Sequence, residues 1–177
     1  MTPEFSRLFD VRQIQGKHVT LTPNEAERAA LAVRFGLVRI DTLVAELDLA
    51  TADRDGGFLV EARGTLAAAI IQPCAVSAED LPVTIDEPLF FRFVPRITEY
   101  EPDEEIELTA DELDEIEYDG THIDLAEAVA QSLALAIDPF LTGPEADAAR
   151  KAAGIGTPED SGPFAALKGL KLGGNGD

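Results

Sequence analysis

Residues 43–71 read LVAELDLATADRDGGFLVEARGTLAAAII, and their pattern decides the fold. Leu43, Ala45, Leu47 and Leu49 alternate with Val44, Glu46, Asp48 and Ala50, the period of two expected of a half-buried strand. Arg54-Asp55-Gly56-Gly57 follows, and Asp-Gly and Gly-Gly readily supply the positive φ of a tight hairpin turn. The return run places Phe58, Val60, Ala62, Gly64, Leu66, Ala68 and Ile70 on one face; Leu59, Glu61, Arg63 and Thr65 begin the other. From Leu66 to Ile71 both faces are apolar, so that end is expected to be covered on both sides.

Working outward, residues 72–80 (QPCAVSAED) turn the chain into a third strand, where Leu81, Val83, Ile85, Leu89, Phe91 and Phe93 share a face. Pro88 marks that strand as an edge or a bulge. Upstream, Thr22-Pro23-Asn24-Glu25 is a helix start with Thr22 as cap, Pro23 at the first helical position and Glu25 reaching back. The helix runs through Ala26, Ala29, Ala30, Leu31, Val33 and Phe35, and Gly36 ends it. Residues 5–14 alternate as a strand, which Gly16-Lys17 turns into a short second one from His18 to Leu21, with His18 an exposed strand residue. Downstream, Asp124 and Glu127 form a second capping box. Leu125, Val129, Leu133 and Ile137, with Ala128, Ser132, Leu135 and Ala136 beside them, make one apolar helix face that Asp138-Pro139 ends. The expectation is an α+β domain: a curved antiparallel sheet or open barrel with two packing helices, an acidic loop and a loose C-terminal tail. One domain would cover residues 1–140, with an acidic insert at 99–119; residues 141–177 would be a flexible tail.

The insert reads EYEPDEEIELTADELDEIEYD, twelve acidic residues and no Lys or Arg. The net charge of −20 is unevenly spread: residues 1–98 carry 14 acids and 10 bases (−4), residues 99–149 carry 17 acids and no base (−17), and residues 150–177 carry 3 acids and 4 bases (+1). Such a segment favours basic partners and repels nucleic acid and anionic membranes. Read on composition alone it is a solvated, self-repelling linker. Asp103, Glu104 and Glu105 lack the alternating ligands and central Gly of a calcium loop, and nothing singles out a carboxylate pair for acid–base catalysis. A docking arm is the other reading, because Ile106, Leu108, Leu113, Ile116 and Tyr118 interleave apolar anchors with the charge. Its candidate contacts are Glu104, Glu105, Ile106, Asp111, Glu112, Leu113, Asp114, Glu115 and Ile116. In the tail, residues 162–171 place Phe164, Leu167 and Leu170 three apart, a short motif that would pack back on the body or bind something else.

Cys74 is the only thiol, which excludes an intrachain disulfide and a cysteine-rich zinc site. Its sequence neighbours supply no base or positive charge, so it reads as a small buried hydrophobe. His122 reads as a cap or a solvent-facing residue. No spacing points to a catalytic group, a bound metal or a cofactor. The first ten residues lack the basic and apolar regions of a signal peptide, and no apolar run approaches the ~20 residues that cross a bilayer. A cytoplasmic protein without a membrane partner is the simplest expectation.

Three islands carry a likeness: residues 72–81 (QPCAVSAEDL) leading into EPLFFRF at 87–93, residues 123–135 (IDLAEAVAQSLAL), and residues 163–168 (PFAALK). In this order and spacing the chain resembles the YceD family, the large ribosomal RNA subunit accumulation proteins, which carry an acidic insert at the same place. The resemblance spans residues 5–171 or so. It implies a non-enzymatic factor needed for large-subunit (23S) ribosomal RNA to accumulate, with no catalytic residues to carry over. Many members place Cys-x-x-Cys at the strand entrance and further cysteines near the C-terminus; here only Cys74 matches, and Ser77 stands at the second position.

The residues and the resemblance together favour an indirect role, in which the acidic arm holds a basic ribosomal protein or assembly factor of the large subunit. Direct binding to precursor ribosomal RNA is the alternative. A hydrolase using Asp- or Glu-bound magnesium is a third class, for which no ligand spacing stands out.

Overall fold

The computed structural model describes residues 3–54, 57–96 and 115–155. They divide between two compact units, one built from the chain up to Gln72 with Asp80–Asp138, the other from Pro73–Glu79 and the chain from Pro139 on.

The first unit holds the hairpin that the alternation predicts. Strands β1 (Leu8–Asp10), β2 (His18–Leu21), β3 (Arg39–Arg54), β4 (Gly57–Pro73), β5 (Asp80–Pro95), β6 (Glu115–Tyr118) and β7 (His122–Asp124) are joined by helices α1 (Glu25–Phe35) and α2 (Leu125–Ala136). β3 and β4 pair antiparallel along their whole length, from Arg39 opposite Ile71 to Arg54 opposite Gly57, with one register shift between Ile40 and Thr42. The five-stranded sheet has the order β2-β3-β4-β5-β6. Its inner face buries Leu43, Ala45, Leu47 and Leu49 from β3, and Val60, Ala62, Leu66, Ala68 and Ile70 from β4. Gly64 is required there, since a Cβ on it would overlap the Glu46 carbonyl of the neighbouring strand.

The α+β class holds, but the sheet differs from expectation in three respects. It is mixed, because β6 runs parallel to β5. Among the described residues its outer strands are β2 and β6, so it stays open. The N-terminal strand does not join it: β1 pairs antiparallel with β7 in a separate two-stranded sheet. The predicted strand over residues 5–14 shrinks to three residues because the Asp10 carboxylate accepts the Arg12 N–H and starts a 3-10 turn, Val11–Gln13. Phe5 and Ile14, outside β1, still bury completely or nearly so. Coverage of both faces at the end of β4 is also only partial: Ile71 and Gln72 are buried, whereas Ala67 is exposed. Pro88 lies on the part of β5 beyond its register with β6, which spans Arg92–Pro95, so there β5 has no β6 residue beside it, the edge setting in which Pro is tolerated.

α1 packs against β3, and α2 against β5 and β1. The cap of α1 is Asn24 rather than Thr22. Its side chain accepts from the Glu27 N–H at 2.9 Å, and the Glu27 carboxylate accepts from the Asn24 N–H at 2.8 Å, a closed capping box two residues later than expected. Asn outranks Thr at this position, and both frames offer a Glu three residues on. Gly36 ends the helix at φ 67°, as expected. In α2, Leu125, Val129 and Leu133 are fully buried, each stabilising the fold by about 1.5–3 kcal/mol. Leu135 falls off that face and is 89% exposed. Asp124 caps α2 through the Ala126 and Glu127 N–H groups, but the Glu127 side chain is engaged elsewhere: it pairs with Arg34 of α1 at 2.8 Å.

The second unit brings residues 73–79 together with the chain after Pro139. The Cys74 N–H donates to the Glu79 carbonyl at 2.8 Å and the Ala75 N–H to the Leu141 carbonyl at 2.9 Å. It contains a third helix, α3 (Ala146–Ala152), within a stretch expected to be loose.

Candidate partner-binding site

The alternation Glu115-Ile116-Glu117-Tyr118 sits inside the acidic insert, and it makes β6. Its apolar members turn inward: Ile116 packs against the core, and Tyr118 is buried with its hydroxyl donating to the Phe58 carbonyl at 2.7 Å and accepting the Phe58 N–H at 3.1 Å. Glu115 faces the outer side of the sheet, where it meets Arg54 at 2.9 Å and Arg92 at 3.9 Å and is only 11% exposed. Arg92 continues to Glu61 at 3.3 Å, and Glu61 to Arg63 at 3.2 Å. The Arg63 guanidinium lies 4.1 Å from the centre of the Phe90 ring. The Arg63 guanidinium holds the Glu61 carboxyl below its ordinary value, burial opposes it, and the Arg92 guanidinium adds to the lowering. Glu115 and Ile116 are therefore sheet residues: the carboxylate is already held and the isoleucine already packed. The other candidate contacts, Glu104, Glu105, Ile106, Asp111, Glu112, Leu113 and Asp114 in the insert and Phe164 and Leu167 in the tail, lie outside the described residues.

Arg96, at the end of β5, is bound by Glu117 at 3.0 Å and Asp119 at 2.9 Å. The sequence between Arg96 and Glu115 therefore leaves from one neighbouring strand and returns into the other. His122 is exposed on β7, with its Nδ1 3.0 Å from the Thr121 hydroxyl. His18 is exposed on β2 and meets Asp48 at 2.8 Å.

In the second unit Cys74 is buried, as the sequence suggests, but its surroundings are polar. Its sulfur accepts the N–H groups of Gly143 at 3.3 Å, Ser77 at 3.4 Å and Val76 at 3.5 Å. The Ser77 side chain beside the sulfur, and then these backbone donors, lower the thiol pKa to about 7, opposed by burial. Sequence neighbours alone do not reveal this, because one donor comes from 69 residues away. Among the described residues no three His, Cys, Asp or Glu side chains are grouped to hold a metal ion, and no helix is long and apolar enough to cross a membrane.

The family model for the large ribosomal RNA subunit accumulation protein YceD matches residues 62–171. The chain belongs to the YceD family. The match begins in β4 and takes in β5, β6, β7 and both later helices, so the family's segment contains Cys74, the acidic insert and, from the outer-face ladder, Arg63, Arg92 and Glu115, with Glu61 one residue before it. Membership carries a role in ribosome biogenesis, in the accumulation of large-subunit ribosomal RNA. No curated protein and no solved structure matches the chain.

Proposed function

We propose that this YceD-family chain supports accumulation of 23S ribosomal RNA without catalysis, by holding a basic ribosomal protein or assembly factor of the large subunit against the carboxylates that follow Arg96. One observation carries this reading over direct RNA binding. Every arginine of the chain except Arg28 lies within ion-pair distance of a carboxylate, and Arg28 donates to the Pro23 carbonyl. RNA binding needs guanidinium or ammonium groups free to replace counterions on phosphate. Here the guanidinium groups are already committed, while the insert holds a large surplus of negative charge. That surplus would attract a basic protein and steer its approach.

One feature favours a second reading, direct contact with precursor RNA. Phe90 is 47% exposed on the outer sheet face with Arg63 stacked on it, the type of platform on which an unpaired base can stack.

The test compares the protein with a variant carrying Glu104→Gln, Glu105→Gln, Asp111→Asn, Glu112→Gln and Asp114→Asn. Both are titrated at two salt concentrations against purified basic proteins of the large subunit and against large-subunit RNA. The unmodified chain is expected to bind one or more of the proteins, and the variant to bind more weakly with a flatter salt dependence. RNA binding that is already tight and becomes tighter in the variant would overturn the proposal.

A further inference from the structure

We infer that a groove formed by β5, β6, β7 and α2 seats an apolar side chain of that basic partner; the inference rests on the reading above and adds a second contact to it. The groove has a volume of about 280 Å³. That is at or below the lower end of small-molecule sites, roughly 300–1,000 Å³, and suits one or two side chains. Its floor is apolar: Phe93, Ile123 and Ala128 are buried beneath it, and Ile116 is half-buried at its side. At its mouth stands Leu8, 66% exposed although it lies in a strand opposite Asp124. A large aliphatic side chain in water beside an open apolar floor gains free energy when a partner covers both.

The rim gives the occupant its sign. Glu117 and Asp119 share the single guanidinium of Arg96, and their side chains remain 46% and 68% exposed. Glu127, deeper in, is held by Arg34, and Asp124 is occupied as the cap of α2. The mouth is thus net negative. The chain on either side of the insert runs past it: Arg96 pairs with the rim carboxylates, and Ile116 lines the wall. Residues 97–114 add nine acidic residues and no base in the sequence between those two points. A free organic cation or an acidic peptide does not fit both features. A protein segment in which lysines or arginines flank a leucine, isoleucine or phenylalanine does, because the apolar side chain fills the floor while the cations meet the rim.

The test uses the full isotope-labelled chain and two short synthetic peptides of lysine and glycine, one with a central leucine and one with alanine in its place. The leucine peptide is expected to bind roughly tenfold more tightly and to shift the amide resonances of Leu8, Ile116, His122 and Gln131. Leu8→Ser, at an exposed position, and Gln131→Trp, whose ring would fill the groove from the exposed side of α2, should each remove the discrimination without lowering the unfolding temperature. The insert variant with five neutralised carboxylates should weaken both peptides equally and keep the ratio between them. Equal binding of the two peptides, or discrimination that survives both groove variants, overturns the groove and leaves the basic-partner reading standing. Failure of both peptides and of the basic ribosomal proteins overturns the two together. Shifts of the same amides by a single-stranded RNA oligonucleotide, stronger than by either peptide, would also overturn the groove assignment.

Discussion

The Asp124 carboxylate accepts the backbone N–H of Arg7 at 2.9 Å while it also caps α2 through the N–H groups of Ala126 and Glu127. One anion therefore joins the N-terminal segment to the second helix, and the Ser6 hydroxyl donates to its other oxygen. Asp124→Ala removes a cap and leaves several donors without a partner, at an expected cost of about 2–3 kcal/mol. Asp124→Asn keeps an accepting oxygen and should cost less, about 1 kcal/mol. Urea unfolding of the two variants checks this; equal losses would mean that the charge, not the accepting geometry, matters.

Gly64→Ala tests how tightly β3 and β4 are held. The added methyl group would overlap the Glu46 carbonyl, a backbone atom that cannot rotate away. The strands must separate locally, with a loss of roughly 1–3 kcal/mol. Amide exchange should speed up around Leu47, opposite Gly64, before it does near Arg54. Unchanged stability would mean that the sheet yields freely at this point.

Arg34 and Glu127 connect α1 to α2, and the pair predicts a pH dependence. The guanidinium holds the Glu127 carboxyl below its ordinary value, against a smaller effect of burial. A depressed folded-state pKa means that the unfolded chain binds more protons in this range. The stabilisation is therefore complete above the ordinary carboxylate pKa of about 4.3 and fades as the pH falls through the folded value. Arg34→Met should cost about 1 kcal/mol at neutral pH, since the pair is partly exposed. The difference from the unmodified protein should shrink toward zero in acid. A difference that stays constant from neutral pH into acid would show that packing of the arginine stem, not the ion pair, is lost.

Much of the fold is legible in the sequence because its periods are local. Leu43, Ala45, Leu47 and Leu49 announce a half-buried strand, and Leu125, Val129 and Leu133 announce a packed helix face, and both are found so. What the sequence pattern does not reveal depends on competition or on distance. Thr22 and Asn24 offer the same capping spacing, and only the stronger cap is used. Asp10 ends its strand with a side-chain bond that alternation does not register. In the insert, acidic composition masked the two-residue period of Glu115-Ile116-Glu117-Tyr118, a signal that was present and outweighed by charge. The groove was not legible at all. Leu8, Phe93, Ile116, Ile123 and Gln131 meet only because β1 pairs with β7 and β6 runs parallel to β5.

Glu115 provides the sharpest separation between the sheet and the acidic sequence before it. Its carboxylate is 11% exposed and lies between Arg54 and Arg92, whose Nε is buried without a partner of its own. Glu115→Gln would keep the shape and remove the charge, leaving two guanidinium groups facing each other across a neutral amide. Breaking one side of a part-buried ion pair leaves the remaining charges poorly solvated, so a loss of about 1–3 kcal/mol is expected. Glu104→Gln, Glu105→Gln, Asp111→Asn, Glu112→Gln and Asp114→Asn act in the opposite sense, because each removes a like charge from a segment that contains no base. Together they should leave the unfolding midpoint unchanged or raise it slightly. The two effects also respond differently to salt: screening should shrink the gain from the insert variant and leave most of the Glu115→Gln loss in place. Thermal unfolding of both variants at low and high ionic strength measures this directly. If Glu115→Gln proves as harmless as the insert substitutions, the outer-face ladder contributes nothing to holding β6 beside β5, and the strand pairing, the Arg96 ion pairs and the packing of Ile116 and Tyr118 hold it instead.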